Sequence, residues 1–251
     1  MIENIKARAL AGQTSIGLVV RLWDSVVLEM AKAAGYHFVR IDGEHVAYDG
    51  KTLREFFAKA RHLGLAAQIR VGELWDAEPL LAMEPAAICI PGMESVEQAQ
   101  EAVDKIKFAP YGKRSMYGGI PSVRYGDISR SAYEAEGNDR TQLIVQLESV
   151  KALDNIDSIL SVKGIDMIAS GRADIASSMG LSGQKDHPDV LAAEDMIIRK
   201  AHEYGKVLTL SVRNKARMEE LKAKGVYAFS IGCDEELCFN AIRRQAQEMN
   251  A

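Results

Sequence analysis

The chain has few cysteines and no excess of positive charge. Its three cysteines, Cys89, Cys233 and Cys238, are too few for a disulfide framework and lack partners at zinc-ligand spacing. The formal net charge of −4 provides no sequence-wide basic field for nucleic acid or anionic lipid. We therefore expect no nucleic-acid partner and a reducing compartment, the cytoplasm.

Long apolar runs and nucleotide-binding motifs are absent as well. No apolar run approaches the roughly 18 residues needed to span a bilayer, and residues 1–13 lack the apolar core of a signal peptide. We therefore expect a soluble protein with no membrane partner. No G-x-G-x-x-G follows the first apolar run. This absence argues against a doubly wound sheet that binds a dinucleotide, the main rival fold.

Short apolar runs of strand length alternate with segments of helical period along the chain. The predicted strands cover residues 16–22, 37–41, 66–71, 87–90, 142–147, 165–169, 207–212 and 227–231. Eight strand–helix alternations preceded by a short N-terminal helix predict an α/β fold, a (β/α)8 TIM barrel. The hydrophobic content of 47% supports a substantial core. We expect one barrel domain over residues 1–251.

Residues 109–140 interrupt this alternation. They contain no predicted strand, and they include several prolines, glycines, arginines and tyrosines. Loops of this length in compact domains are usually functional or disordered. The composition predicts an ordered excursion with a short helix near residues 129–136.

Ionisable side chains follow several of the predicted strands, where a barrel enzyme carries its chemistry. They are Asp42, Glu44, His45, Arg70, Glu148 and Asp174. A charge at the end of a buried strand is costly unless it is paired or used. Ion pairs on the barrel rim are the alternative explanation for each residue alone. Their occurrence on neighbouring strands favours a shared site.

These residue types suit the formation of an enolate from a 2-oxo acid. Glu148 and Asp174 offer oxygen ligands to a hard divalent ion such as Mg²⁺ or Mn²⁺. Such an ion would be chelated by the carboxylate and keto oxygens of the 2-oxo acid. Arg70 would stabilise the oxyanion on the keto oxygen, and His45 would act as acid and base.

Two further absences narrow the chemistry. No predicted strand end offers a lysine inside its apolar run, which argues against a Schiff-base aldolase. The loops after the seventh and eighth strands are not glycine-rich, which argues against the phosphate site of phosphosugar barrels.

The chain resembles the HpcH/HpaI aldolase family, the metal-dependent class II pyruvate aldolases. Members include 2,4-dihydroxyhept-2-ene-1,7-dioate aldolase and 2-keto-3-deoxy-sugar-acid aldolases. The resemblance extends over nearly the whole chain. It is carried by Ile41-Asp42-Gly43-Glu44-His45, Ile69-Arg70-Val71, Pro110-Tyr111-Gly112-Lys113-Arg114, Gln146-Leu147-Glu148 and Ala173-Asp174-Ile175-Ala176-Ser177-Ser178-Met179-Gly180.

The resemblance implies a set of roles and an assembly. Glu148 and Asp174 would be ligands of Mg²⁺, Mn²⁺ or Co²⁺, and the Ala173 backbone and Asp174 would meet the substrate carboxylate. Arg70 and His45 would be catalytic, Arg70 also binding substrate. Asp42 would support the metal–water shell, and Glu44 would be a further supporting residue. The last helix would swap between the subunits of a homohexamer.

The chain departs from the family pattern at three places. Arg172 replaces the usual proline after Gly171, and Ser115 replaces a glycine after Arg114. Ala82 stands where the family has an aspartate that pairs with the catalytic histidine of a neighbouring subunit, and Glu84 lies two residues further on. Without that carboxylate, His45 would be a weaker base.

Together these observations predict a class II aldehyde-lyase that cleaves a 4-hydroxy-2-oxo acid to pyruvate and an aldehyde. The alternatives are an oxaloacetate decarboxylase or another enolate-forming enzyme of the same family, and a non-catalytic member that binds a 2-oxo acid. The apolar stripe of Phe239, Ile242, Ala246 and Met249 predicts a homo-oligomer, although packing on the chain's own barrel explains it equally well.

Overall fold

A closed barrel of parallel strands forms the centre of the molecule. The computed structural model describes residues 4–116 and 128–250. The strands pair in chain order around the barrel, and β8 closes against β1. They are β1 (Ser15–Val20), β2 (Phe38–Gly43), β3 (Ala66–Val71), β4 (Ala87–Ile90), β5 (Gln142–Gln146), β6 (Met167–Ser170), β7 (Val207–Val212) and β8 (Ala228–Cys233). The predicted TIM barrel is confirmed.

Helices cover the outside of the barrel and precede its first strand. In the described ranges they are α1 (Ile5–Leu10), α2 (Val26–Ala33), α3 (Gly50–Leu63), α4 (Ala77–Leu81), α5 (Val96–Ile106), α6 (Arg130–Arg140), α7 (Val150–Asp154), α8 (Ile156–Leu160), α9 (Arg172–Ser178), α10 (Pro188–Glu203), α11 (Lys215–Ala223) and α12 (Asp234–Asn250). A single 3-10 turn, Leu74–Asp76, precedes α4. No helix among the described residues has both the length and the apolar character needed to cross a bilayer.

Strands β3, β4 and β7 have the predicted bounds, and the ends of the others differ by at most two residues, as assigned boundaries ordinarily do. One of these differences matters for the site. Strand β2 extends to Gly43, and Asp42 pairs in register with Arg70 of β3. Asp42 is therefore held inside the sheet and does not lie on the loop that follows it.

The interrupting segment is ordered where it is described. Residues 109–116 lead away from α5, and α6 begins after the N-cap Ser129, whose hydroxyl accepts from the Ala132 N–H. This helix extends the predicted one to Arg140. The remainder of the predicted excursion, residues 117–127, lies outside the described residues.

The lower half of the barrel interior is apolar and closed by α1. Ile5 and Ala9 of that helix are buried against inward-facing strand residues that include Phe38 and Ile144. Gly17 of β1 leaves room for the Phe38 ring, because a Cβ at position 17 would lie 2.1 Å from it. The substrate side must therefore be the opposite end, where the strands reach their carboxyl termini.

Above this apolar layer, the barrel holds polar side chains. Arg40 of β2 is 8% exposed, and its Nη2 donates to Gln68 Oε1 at 3.1 Å and to Thr209 Oγ1 at 3.2 Å. Burial lowers the pKa of Arg40. No carboxylate among the described residues hydrogen-bonds this guanidinium, so a cation with neutral partners lies inside the barrel.

The last helix, α12, projects from the end of β8 with little of its surface covered. Its first residue, Asp234, is buried, and the described residues after it are exposed. Large apolar side chains on it face solvent: Leu237, Phe239, Ile242 and Met249. The apolar stripe of α12 therefore does not pack on the chain's own barrel.

Candidate active site

Three neighbouring strands each place one charged side chain at the carboxyl end of the barrel. Arg21 follows β1, Asp42 lies near the end of β2, and Arg70 lies near the end of β3. Asp42 is 1% exposed and accepts from Arg21 Nε at 2.9 Å and from Arg70 Nη2 at 2.8 Å. Burial alone would raise the pKa of Asp42, but the charge and hydrogen bonds of Arg70 and Arg21 outweigh it, so that the pKa is lowered.

His45 lies against this arrangement, with its side chain 57% exposed. Its Nδ1 is 3.2 Å from both oxygens of Asp42 and 2.9 Å from Arg70 Nη2. The tautomer decides whether Nδ1 donates to Asp42 or accepts from Arg70. Groups of its own chain orient the ring in either case, but only the tautomer whose Nδ1 donates to Asp42 leaves Nε2 able to accept a proton from a reacting molecule.

Ala82 occupies the position where the resemblance implies an aspartate that pairs with the catalytic histidine. Ala82 is exposed at the end of α4, and the half-buried Glu84 has a left-handed φ of 61°. The charge of Glu84 acts on Arg114. The weaker basicity predicted for His45 stays a prediction, but a carboxylate, Asp42, does lie beside the imidazole.

Glu44 completes the group around Arg70. Its Oε2 lies 2.9 Å from Arg70 Nη1, yet this buried oxygen accepts no hydrogen bond from any described residue. Burial raises the pKa of Glu44, although the charge of Arg70 opposes that effect. The charge of Glu148 also raises it, which places Glu148 close to this group.

Glu148 follows β5 and is held by two donors. Its Oε1 accepts from the Gly92 N–H at 2.8 Å, and its Oε2 accepts from the amide of Gln146. Each carboxylate oxygen has a second lone pair, so both remain capable of binding a cation. The side chain is thus fixed before any ligand arrives.

Asp174 and Ala173 lie in the first turn of α9, directly after β6, and both are exposed. A Cβ at Gly171 would lie 3.1 Å from Asp174 Oδ2, so this glycine leaves space beside the carboxylate. Because β5 and β6 pair directly, Glu148 and Asp174 follow adjacent strands. The N–H of Ala173 is among those that a helix leaves without an intrahelical partner.

The donor set fits a hard divalent ion between β5 and β6. It consists of carboxylate oxygens, and the unsatisfied Oε2 of Glu44 adds a buried acceptor near Glu148. A second cluster, Asp42, Glu44 and His45, brings its ligand atoms within 4.8 Å of one another. We consider that cluster the poorer metal site, because Arg21 and Arg70 already bind Asp42.

Arg172, the replacement for the usual proline, lies outside this group. Its Nη1 pairs with Asp186 Oδ1 at 2.9 Å, and its Nε lies 3.7 Å from Glu194 Oε1. Glu194 also pairs with Arg217 of α11. Arg172 therefore ties the start of α9 to the segments that follow it.

Two arginines of the barrel, Arg21 and Arg40, were missed by the sequence reasoning. Arg21 ends an apolar run, as Arg70 does, but the first strand was expected to continue to Leu22, with Trp23 and Asp24 as its end. Asp234, another strand-end carboxylate, accepts from the N–H groups of Arg21 and Leu22 and has a structural role.

Comparison with known proteins supports the family resemblance described from the sequence. A family model described as HpcH/HpaI aldolase/citrate lyase matches residues 15–241. A 2-keto-3-deoxy-L-rhamnonate aldolase of Klebsiella pneumoniae is 30% identical over 246 residues, covering 96% of this chain and 90% of that protein. A hydroxypyruvate/pyruvate aldolase of Agrobacterium fabrum is 30% identical, with 96% and 91% coverage.

A solved structure agrees with the fold. The crystal structure of an HpcH/HpaI aldolase from Desulfitobacterium hafniense DCB-2 has a TM-score of 0.91 at 25% identity. The match covers 98% of this chain and 96% of that chain.

Proposed function

The chain belongs to the HpcH/HpaI aldolase/citrate lyase family, and we propose that it is a divalent-metal-dependent class II enzyme acting on pyruvate-derived 2-oxo acids. It is a carbon–carbon lyase of the aldolase type, which cleaves a 4-hydroxy-2-oxo acid to pyruvate and an aldehyde. One observation supports the proposed mechanism best. Arg70 is fixed by Asp42 and Glu44 directly beside His45, at the barrel end where Glu148 and Asp174 also follow their strands.

Glu148 and Asp174 would hold the ion, which we propose to be Mg²⁺, Mn²⁺ or Co²⁺. When bound, such an ion supplies Lewis acidity to the keto group and a fixed charge for the carboxylate. The Ala173 N–H would bind that carboxylate. These assignments explain why Glu148 is preorganised by Gly92 and Gln146.

Arg70 would stabilise the negative charge that forms on the C2 oxygen. Its Nε and Nη2 donate to Asp42, and its Nη1, which lies 2.9 Å from Glu44 Oε2, donates no hydrogen bond to any described residue. A guanidinium held in this way can donate to the C2 oxygen without reorganising, which is the condition for effective transition-state stabilisation.

His45 would move the proton. In the tautomer whose Nδ1–H donates to Asp42, Nε2 would take the C4 hydroxyl proton in the cleavage direction. The C3–C4 bond then breaks, and the aldehyde leaves. The electron pair of that bond forms the C2–C3 double bond of the pyruvate enolate, with the charge on the C2 oxygen. Protonation of C3 then gives pyruvate.

The activity test measures pyruvate released from 4-hydroxy-2-oxo acids with and without EDTA. We expect turnover with Mg²⁺ or Mn²⁺, and its loss when EDTA removes the ion. Turnover that persists in EDTA would contradict metal dependence. Metal binding by calorimetry without turnover on any 2-oxo acid would instead favour a non-catalytic protein that binds a 2-oxo acid.

A His45→Ala variant separates aldol cleavage from the decarboxylation of oxaloacetate, the second candidate, which Ala82 favours. We expect cleavage to fall about 100-fold or more because the proton acceptor is lost, whereas decarboxylation should persist because it needs no proton transfer from a hydroxyl group. The matched control is His62→Ala, since His62 is exposed on α3. Equal losses in both reactions would count against the role of His45.

We propose further that the protein is a homohexamer in which α12 packs on a neighbouring subunit. Its exposed Phe239 and Ile242 support this assembly. Replacing both by Glu should shift the mass measured by light scattering towards the monomer. Met30→Glu, on the exposed face of α2, is the control. A wild-type protein that is already monomeric would contradict the assembly.

We also propose that the protein works in the cytoplasm and that its barrel, residues 1–251, is one domain. All three cysteines are free, and Cys238 is exposed. Burial raises the pKa of Cys89 to about 11, so this thiol is suited to packing rather than to reaction.

A further inference from the structure

Arg21 lies at the mouth of the barrel, and a hydrogen bond to Asp234 holds its backbone in place. The buried carboxylate of Asp234 accepts from the Arg21 N–H at 2.9 Å and from the Leu22 N–H at 3.1 Å. Alternation along β1 gives Arg21 the same inward direction as Gly17, whose position faces the Phe38 ring inside the barrel. The side chain therefore extends over the site from a fixed starting point.

Among the described residues, a single nitrogen of the Arg21 guanidinium forms a hydrogen bond. Its Nε donates to Asp42 Oδ2, and the side chain is 37% exposed. In the described part of the chain, no group accepts a hydrogen bond from its two terminal nitrogens. Glu235 contributes a nearby charge but forms no ion pair with it among those residues. Asp42 is shared with Arg70, so one carboxylate lies between two guanidiniums.

The order of groups around the mouth fixes where Arg21 meets a substrate. The proposed carboxylate and metal groups follow β6 and β5, Arg70 is on β3, His45 follows β2, and Arg21 follows β1. A substrate whose C1 lies at β6, whose C2 oxygen lies at Arg70 and whose C4 hydroxyl lies at His45 continues towards β1. The terminal nitrogens of Arg21 are then the next donors along its chain.

We propose that Arg21 binds a terminal carboxylate on the aldehyde half of the substrate, so that the enzyme acts on 4-hydroxy-2-oxo diacids. This inference rests on the proposed function, because it assumes that the 2-oxo acid lies between β6 and Arg70. A guanidinium whose two terminal nitrogens meet no acceptor among the described residues offers the paired donors that match a carboxylate. Arg21 is thus a specificity-determining residue that the sequence reasoning did not identify.

Binding measurements test the inference without requiring turnover. Calorimetry with Mg²⁺ at constant ionic strength would compare 2-oxoglutarate with 2-oxopentanoate, and 2-oxoadipate with 2-oxohexanoate. Each pair shares its 2-oxo acid head and length and differs in the terminal carboxylate. We expect at least one diacid to bind about 10- to 100-fold more tightly than its partner, as a charge-assisted pair implies.

Arg21→Met should remove that preference, and Arg21→Lys should restore part of it. Any loss transmitted through Asp42 falls on both ligands, so the ratio of the two affinities isolates the carboxylate contact. Arg54→Met, on the exposed face of α3, is the matched control and should keep the wild-type ratio.

Two results would overturn the inference: no diacid preference in the wild type, or a preference that survives Arg21→Met, including one that survives because both ligands lose affinity equally. The last result would mean that Arg21 only positions Asp42. Binding of the monoacids without a diacid preference leaves the proposed function intact. Failure of every 2-oxo acid to bind overturns the proposed function as well.

Discussion

Replacing Glu148 by Gln is expected to lower kcat/KM for pyruvate release by about a thousandfold or more. The change removes a negative charge from the proposed metal site, and metal-ion catalysis supplies several kcal/mol of transition-state stabilisation. The amide group also brings a donor towards the Gln146 amide or the Gly92 N–H, each of which now donates to Glu148. Steady-state kinetics across a Mg²⁺ or Mn²⁺ series measures the loss.

The metal dependence identifies the cause of that loss. Glu148→Gln should also weaken Mg²⁺ or Mn²⁺ binding measured by calorimetry, while Glu101→Gln, at an exposed position of α5, should change neither quantity. An unaltered metal affinity in the Glu148 variant would assign this carboxylate a role other than metal binding.

Replacing Arg70 by Lys is expected to lower kcat by about 100- to 1,000-fold, the usual effect of removing one oxyanion donor. Lysine keeps the positive charge, but an ammonium group is a point donor that cannot reproduce the planar contacts of Arg70 with Asp42, His45 and Glu44. KM should change less than kcat, because the charge on the C2 oxygen exists mainly in the transition state.

Two comparisons complete the Arg70 experiment. Arg54→Lys is the surface control. Exchange of the C3 protons of pyruvate with deuterated water, followed by NMR, should slow in the Arg70 variant because the enolate itself is less stable. If exchange keeps its wild-type rate while cleavage falls, Arg70 acts on the aldehyde and not on the enolate.

The strands were predictable because each is a short apolar run between helical segments. In a parallel barrel these strands are covered on both sides, so their composition indicates them directly. The site residues beside them were indicated by a second rule, that charged groups at the ends of such strands need a partner or a use. His45, Arg70, Glu148 and Asp174 all lie at the end of the barrel that this rule predicts.

The role of Asp42 was not predictable from its position in the chain. Its neighbours Arg21 and Arg70 are distant in sequence and meet it only because β1, β2 and β3 are adjacent. The family resemblance implies a place for Asp42 in a metal–water shell, and the structure adds that both of its oxygens accept from arginine. Contacts between strands depend on register and on side-chain direction, and a shift of one residue in register changes both.

Arg40 was missed for a different reason. It lies within an apolar run, where an inward-facing and an outward-facing residue look alike until the register of the barrel is known. Its Gln68 and Thr209 partners come from β3 and β7. Both partners are uncharged, so no ion pair with Arg40 could be predicted from the sequence.

The enclosure of Arg40 has a consequence for how the site responds to ionic strength. Arg21 stands at the mouth, where dissolved ions screen its charge over a Debye length of about 8 Å at physiological salt. Arg40 lies beneath Arg70, away from solvent, and its charge acts on that neighbour. Mobile ions cannot approach it closely, so its electrostatic potential persists in concentrated salt. An anionic substrate is therefore attracted by one arginine whose influence fades as salt rises and by another whose influence fades much less.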